Sequence, residues 1–171
     1  MQTKNYEMMQ NDKKIIIERQ NLQNRLFTTY TETENLLNCN TGNFSFKETS
    51  FDNLQFINCN YELFKKEHIS IDIENEALEM HFCLSGKSNI HHKKQKIYLK
   101  SGYNILRFQN NQRQEILMEP NQNGSFYEIR IGMTHFEKLI KDFDLAQSKI
   151  FAYDPFVITP EMFTIISQLK N

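Results

Sequence analysis

The stretch LEMHFCLSG, residues 78–86, alternates apolar with polar or small side chains and ends in glycine. Side chains alternate between the two faces of a β-strand, so the two kinds of residue separate. One face carries Leu78, Met80, Phe82 and Leu84, and the other carries Glu79, His81, Cys83 and Ser85. The pattern predicts a strand with one apolar face that ends at a turn, Ser85-Gly86.

The same alternation recurs on both sides of this strand. Its clearest instances are HISIDI (68–73), YNILRF (103–108) and SFYEIRIG (125–132). After Gly132 the apolar spacing changes to three or four residues, which is typical of a helix. Thr134 and Glu137 form a capping-box pattern, and Thr159-Pro160 begins a second helix. Many short strands followed by two helices predict a mostly β fold, an antiparallel barrel or sandwich with C-terminal helices.

The composition suits a single globular domain. The 171 residues are 39% hydrophobic and 24% charged, and the net charge is -1, from 20 basic and 21 acidic side chains. A surface that neutralises several phosphates normally has a basic excess. The charge balance therefore argues against binding of DNA or RNA by this chain alone.

The three cysteines, Cys39, Cys59 and Cys83, are widely spaced and form no C-x-x-C pair. This spacing predicts neither a disulfide framework nor a cysteine zinc site. The first residues contain no apolar run that could serve as a signal peptide. No stretch approaches the roughly 18 apolar residues of a membrane span. We therefore expect a cytoplasmic protein with no membrane partner.

His81 and Cys83 share one strand face, so they could contribute two ligands to a metal ion. A catalytic zinc site needs about three protein ligands and a structural one about four. The adjacent His91 and His92 would point to opposite faces of a strand, and no carboxylate follows them closely. We expect no metal and no other cofactor, and interpret His81 as a strand histidine hydrogen-bonded to a neighbour.

Covalent catalysis is also disfavoured. The side chains of His81 and Cys83 would run parallel from one strand, which is a poor geometry for proton transfer. The sequence contains no G-x-S-x-G, P-loop or G-x-G-x-x-G motif. We therefore predict that the protein is not an enzyme.

The polar positions on the central strands predict a binding pocket instead. A small-ligand site combines aromatic walls with a few polar groups, and a guanidinium can grip a carboxylate. The candidate ligand-binding residues are His81, Cys83, Tyr103, Arg107, Tyr127 and Arg130. A single register cannot turn all six inward, so they form a pool of candidates. The alternative is that these residues face solvent while the apolar faces fill a packed core.

Four segments, in order, suggest a family: EMHFCLSG, YLKSGYNILRF, SFYEIRIGMTHFEKLI and ITPEMFTIISQL. Together they resemble the N-terminal half of AraC-type bacterial transcription regulators, and most closely the siderophore-responsive, pyochelin-regulator-like branch. The resemblance covers residues 60–171 reasonably and residues 1–59 only loosely.

The resemblance implies a cupin-like β-barrel (jelly roll) that senses a small molecule, followed by two helices that mediate dimerisation. Barrels of this family usually lack the metal residues of enzymatic cupins. The implied partners are a small effector, of siderophore type by analogy with that branch, and a second copy in a homodimer. DNA would be bound only through a pair of helix-turn-helix motifs, which are absent here and expected downstream.

The implied organisation has three parts: a flexible N-terminus (1–14), a sensor barrel (15–132) and a helical dimerisation and linker segment (133–171). The predicted dimerisation residues are Phe136, Leu139, Ile140, Phe143, Phe163 and Ile166. The favoured hypothesis is an effector-sensing, dimerising domain of a transcription activator. The alternatives are a metal-dependent cupin enzyme that uses His81, His91 or His92, and a dimerisation domain without a ligand.

Overall fold

The computed structural model describes residues 4–10, 13–19, 30–73, 76–92, 95–109, 112–142 and 154–170. Within them the chain forms thirteen strands and two helices. The first strands are β1 (Lys4–Gln10), β2 (Lys13–Arg19), β3 (Tyr30–Cys39), β4 (Gly42–Phe51), β5 (Leu54–Leu63) and β6 (Glu67–Ile73). Then follow β7 (Ala77–Ser85), β8 (Lys87–His92), β9 (Gln95–Lys100), β10 (Tyr103–Gln109), β11 (Gln112–Met118) and β12 (Gln122–Gly132). Helix α1 (Met133–Asp142), β13 (Phe156–Val157) and α2 (Pro160–Leu169) complete the described chain.

The strands form two antiparallel sheets. Sheet I has the order β2-β1-β6-β11-β8-β9, and sheet II has the order β13-β10-β7-β12-β5-β4-β3. Strands β5 to β12 pair as nested hairpins, β8 with β9, β7 with β10, β6 with β11 and β5 with β12. Further pairing of β12 with β7 and of β11 with β8 rolls these hairpins into a jelly roll.

The turn predicted at Ser85-Gly86 takes the chain from sheet II into sheet I. Gly86 has a φ of +83°, a left-handed conformation that side chains with a Cβ rarely adopt. A Cβ at Gly86 or at Gly124 would also overlap the Tyr61 side chain. The two glycines therefore let an aromatic ring close this end of the jelly roll.

Sheet II has two buried faces, which explains why β7 is buried along most of its length. Its inner face meets sheet I across an apolar core. This core includes Phe44, Phe46, Ile57, Cys59, Tyr61, Leu63 and Cys83 from sheet II, and Ile69, Ile90, Ile97, Leu99, Ile116 and Met118 from sheet I. Its outer face meets the helices.

Each helix buries a narrow apolar stripe on that outer face. In α1, Phe136 and Ile140 pack with Leu78 and Ile131. In α2, Ile166 packs with Phe82 and Tyr127. Thr159 caps α2 as predicted, since its hydroxyl accepts a hydrogen bond from Met162 N at 3.3 Å, and Pro160 follows in the first turn.

The predicted fold class, mostly β with two C-terminal helices and a jelly-roll arrangement, is confirmed. The two sheets are not joined by a ladder in the described residues, so the observed form is a sandwich and not a closed barrel. Lys4–Gln10 lies within the N-terminal segment that we expected to be flexible, and it forms β1, which pairs with both β2 and β6. The three-part division of the chain stays a prediction, and Phe143 lies outside the described residues.

Candidate ligand site inside the jelly roll

Polar side chains of three neighbouring strands meet on the inner face of sheet II. In register, Glu79 of β7 lies opposite Arg107 of β10 and Arg130 of β12. One step along, His81 lies opposite Glu128 of β12. All five side chains are buried. Because burial of an unpaired charge is very costly, these groups must be paired with one another.

Glu79 is the hub of this cluster. Its Oε1 accepts hydrogen bonds from Arg107 Nε, at 2.7 Å, and from Arg107 Nη2. Its Oε2 accepts from Arg130 Nε, at 3.0 Å, and from Gln109 Nε2. Both carboxylate oxygens are therefore fully engaged by charged or amide donors from the two flanking strands.

Glu128 continues the network. Its Oε1 lies 2.8 Å from His81 Nδ1, and its Oε2 accepts a hydrogen bond from Arg130 Nη2 at 3.0 Å. An ionised carboxylate can only accept, so Nδ1 carries the imidazole proton. The His81 ring also stacks on Phe126, with centroids 4.9 Å apart. Hydrogen bonding and stacking together fix the orientation of the imidazole.

Arg107 contributes a further guanidinium donor to the charged cluster. Arg107 Nη1 is buried and has no hydrogen-bond partner in the described residues. A buried donor of this kind retains the full cost of losing water unless another group accepts from it. The Nη1 donor of Arg107 is therefore the polar atom of this site that an added acceptor would stabilise.

Cys83 lies one step beyond His81 on the same face and belongs to the apolar core. Its thiol is 3.6 Å from Gly86 O and 3.7 Å from Ser85 O, both of which are acceptors. Burial raises the pKa of the Cys83 thiol to about 11. The thiolate is the nucleophilic form, so this environment does not activate the cysteine. All three cysteines of the chain are free.

The structure brings five of the six predicted ligand-binding residues to the inner face. They are His81, Cys83, Tyr103, Arg107 and Arg130. Tyr103 is only half-buried there, and Lys100 Nζ lies 4.8 Å from its ring centroid. Tyr127 lies on the outer face, because it is one position from Phe126 and three positions from Arg130, and successive side chains of a strand alternate between faces. It packs against α2, and burial raises its pKa to about 12.

Sequence reasoning missed the acidic and amide members of the cluster. These are Glu48, Gln55, Glu79, Gln109 and Glu128, all of which are buried. Gln55 Nε2 donates to Glu48 Oε1, so these two extend the polar region to β4 and β5. The strand alternation could have identified two of them. Glu79 lies two residues from His81 and Glu128 two residues from Arg130, so each shares a strand face with a predicted ligand-binding residue.

Three of these side chains have the composition of a metal site. One ligand atom each from Glu79, His81 and Glu128 lies within 4.8 Å of the other two. However, each carboxylate oxygen already has a hydrogen-bond partner, and the two guanidiniums would repel a cation at this position. The residues therefore fit an ion-pair network better than a resident metal ion.

The predicted dimerisation residues fall into two groups. Phe136, Ile140 and Ile166 are buried within the chain against sheet II. Leu139 is half-buried, whereas Phe163 is 55% exposed. The buried residues of the first group are thus used for packing within the chain. Only Leu139 and Phe163 retain exposed surface that a partner could cover.

No protein-family model matches the chain, and neither does any curated protein. Among solved structures it is similar to the AraC-like transcriptional activator CuxR, with 9% identity and a TM-score of 0.49. That match covers 76% of this chain and 45% of CuxR, so the chain spans less than half of that protein.

Two further solved structures have related folds. A cupin domain of an XRE family transcriptional regulator from Enterobacter cloacae is 8% identical, with a TM-score of 0.40, over 46% of this chain and 81% of that one. A predicted oxalate decarboxylase from Thermotoga maritima is 15% identical, with a TM-score of 0.40, over 61% and 92%. Similarity at this level assigns no activity to this chain. In the described residues, no helix is both long and apolar enough to cross a membrane.

Proposed function

We propose that this chain is the effector-sensing domain of an AraC-type transcription regulator, and that it binds a small oxyanion-bearing effector inside the jelly roll. The observation that carries the proposal is the unused Nη1 donor of Arg107, buried in a charged cluster. A purely structural network would be expected to satisfy its donors. The siderophore-like effector that the resemblance implies remains a narrower prediction, because the Arg107 guanidinium specifies only that the effector carries an oxyanion.

The position of the cluster on β7 would allow effector binding to change the packing of the two helices. Strand β7 carries Glu79 and His81 on its inner face, and Leu78 and Phe82 on the face that packs against α1 and α2. An effector that pairs with Arg107 would compete for the hydrogen bonds of Glu79 and shift β7 against its neighbours. Such a ligand favours whichever helix packing accompanies the shifted strand.

We further propose that the domain forms a homodimer through α2, and that DNA is contacted by a helix-turn-helix region elsewhere in the full protein. On α2, Phe163, Ile165 and Leu169 are 55%, 55% and 45% exposed. Ile165 and Leu169, four residues apart, share one side of the helix, and Phe163 lies on another. Large exposed apolar side chains on both sides of a short helix favour a protein partner. Light scattering of Phe163→Ala should report a lower dimer fraction than Phe64→Ala, which truncates a phenylalanine that is 48% exposed and lies outside α2.

The test of effector binding is calorimetry with a panel of citrate, short fatty acids, a carboxylate-bearing siderophore and neutral sugars. We expect binding by at least one carboxylate and by none of the sugars. Arg107→Met keeps most of the side-chain volume and removes the guanidinium, so it should weaken binding at least tenfold. Lys96→Met, on an exposed side chain of β9, is the matched control. Failure of every carboxylate, or equal binding by both variants, would contradict the proposal.

A metal-dependent cupin enzyme is the second candidate, favoured by the close approach of Glu79, His81 and Glu128. The guanidiniums beside these carboxylates argue against it, and we expect less than stoichiometric metal in the purified protein. Elemental analysis decides the question directly. Stoichiometric iron, manganese or zinc that is lost in His81→Ala would favour the enzyme over the sensor.

A further inference from the structure

We propose that a second small-molecule site lies outside the jelly roll, in a cleft between the outer face of sheet II and the end of α2, and that it takes an uncharged phenol-like compound. This inference does not depend on the interior effector site. The cleft has a volume of about 220 Å³. Sites for drug-sized ligands usually measure about 300–1,000 Å³, so the cleft suits a compound of roughly one ring.

Five elements contribute to the walls of the cleft. The lining residues are Tyr30 and Glu32 of β3, Lys47 and Thr49 of β4, Phe56 and Asn58 of β5, Tyr127 of β12, and Leu169 and Lys170 at the end of α2. The apolar surface comes from Phe56, Tyr127 and Leu169, two aromatic rings and a leucine. Such walls favour a flat, apolar body in the ligand.

Asn58 gives the cleft its specific polar group. Its Oδ1 atom is buried and has no hydrogen-bond partner in the described residues. An amide oxygen can only accept, so the ligand must supply a donor. A hydroxyl on a ring supplies that donor while the ring itself contacts the apolar walls.

The charged side chains of the cleft are Lys47, Lys170 and Glu32, a formal charge of +1. Lys47 Nζ lies 3.1 Å from Glu32 Oε1, and Tyr30 donates to Glu32 Oε2 at 2.6 Å. Lys170 lies at the C-terminal end of α2, where the helix carbonyls have a partial negative charge. Lys47 is thus paired and the charge of Lys170 is offset in part. The electronegative Asn58 Oδ1 disfavours an anion beside it, so the cleft suits an uncharged ligand with a hydrogen-bond donor.

The site would also link a ligand to α2. Leu169 and Lys170 lie at the helix end, whereas the other lining residues belong to sheet II. A compound held between them favours the docked position of α2 over the undocked one. Binding at the cleft should therefore slow hydrogen exchange of the backbone amides in α2.

The experiment uses p-cresol as the probe, with 4-methylanisole and 4-hydroxybenzoate as comparison compounds. 4-Methylanisole keeps the ring but cannot donate a hydrogen bond, and 4-hydroxybenzoate adds a negative charge. NMR titration of the whole chain should show p-cresol shifting the Asn58 side-chain amide and the Leu169 methyl signals. We expect at least tenfold weaker binding of 4-methylanisole, the effect of one lost hydrogen bond.

Asn58→Ala should weaken p-cresol binding about tenfold without lowering the melting temperature, because Oδ1 has no protein partner to lose. Asn60→Ala is the matched control: it lies on the same strand and outer face, is exposed, and lines no part of this cleft. Equal binding of p-cresol by the two variants would overturn the site. Equal binding of p-cresol and 4-methylanisole, or tighter binding of 4-hydroxybenzoate, would overturn the ligand class.

Discussion

His81 Nδ1 lies 2.8 Å from Glu128 Oε1, although 47 residues separate the two along the chain. The pair forms because β7 and β12 are neighbours in sheet II and hold these residues in register. Arg130 joins the pair to Glu79, so one connected network spans three strands. The charged interior is therefore a product of strand pairing and not of any local motif.

Removal of the carboxylate from this pair should destabilise the fold strongly. In Glu128→Ala, Arg130 loses an acceptor and His81 loses its hydrogen bond, both inside a buried site. Loss of one partner of a buried charge pair typically costs about 3–5 kcal/mol. Urea denaturation should show this loss. Glu62→Ala, on an exposed position of β5, should change stability by no more than about 0.5 kcal/mol. Similar midpoints for the two variants would contradict the account of the network.

The contact between Tyr61 and Gly124 predicts a steric effect. A Cβ on Gly124 would overlap the Tyr61 ring and hydroxyl, so Gly124→Ala forces the core to shift. Overpacking of this kind typically costs about 1–3 kcal/mol. Gly132→Ala is the control on the same strand, because its closest new contact would be Asn53 Cβ at 3.3 Å. Thermal denaturation should give Gly124→Ala a clearly lower melting temperature than Gly132→Ala. A higher melting temperature for Gly124→Ala would refute the close approach of Gly124 and Tyr61.

The Cys83 thiol predicts an alkaline loss of stability. Burial raises its folded-state pKa from about 9 to about 11, so between these values the unfolded chain loses the proton while the folded chain keeps it. Stability therefore falls as pH rises through this window, by about 2–3 kcal/mol at most. Urea denaturation of the wild type and Cys83→Ala, with reductant at pH 8 and pH 10.5, should show a smaller decline in the variant. Parallel declines would mean that Cys83 does not contribute.

Two adjacent residues of α2 should behave differently. Ile166 is 2% exposed and packs against Phe82 and Tyr127, whereas Ile165 is 55% exposed. Truncation of a buried isoleucine typically costs about 2–5 kcal/mol. At a protein concentration that keeps the chain monomeric, we expect Ile166→Ala to accelerate hydrogen exchange of the α2 amides, and Ile165→Ala to leave it nearly unchanged. Equal protection in both variants would show that α2 is not held by this contact.

Much of the fold was accessible from local pattern. Alternation identified β7, β10 and β12, the Thr159-Pro160 signal located the start of α2, and Ser85-Gly86 marked a true turn. The pattern did not reveal the pairing between strands, because register depends on contacts between distant segments. Alternation alone does not say which face points inward, so Tyr127 stayed among the candidates together with residues of the opposite face. Glu79 and Glu128 were missed although alternation placed them beside selected residues, because their ion-pair partners lie on other strands.

The sequence by itself determined the period of each element and which side chains of a strand share a face, because both follow from backbone geometry over a few residues. It also determined that polar groups would alternate with apolar ones in LEMHFCLSG. Only the tertiary structure decided that both faces of that strand are buried, one against sheet I and the other against the helices. The burial of a face depends on what packs against it. That packing made His81 part of an interior ion-pair network, and turned Tyr127 outward into a cleft beneath α2.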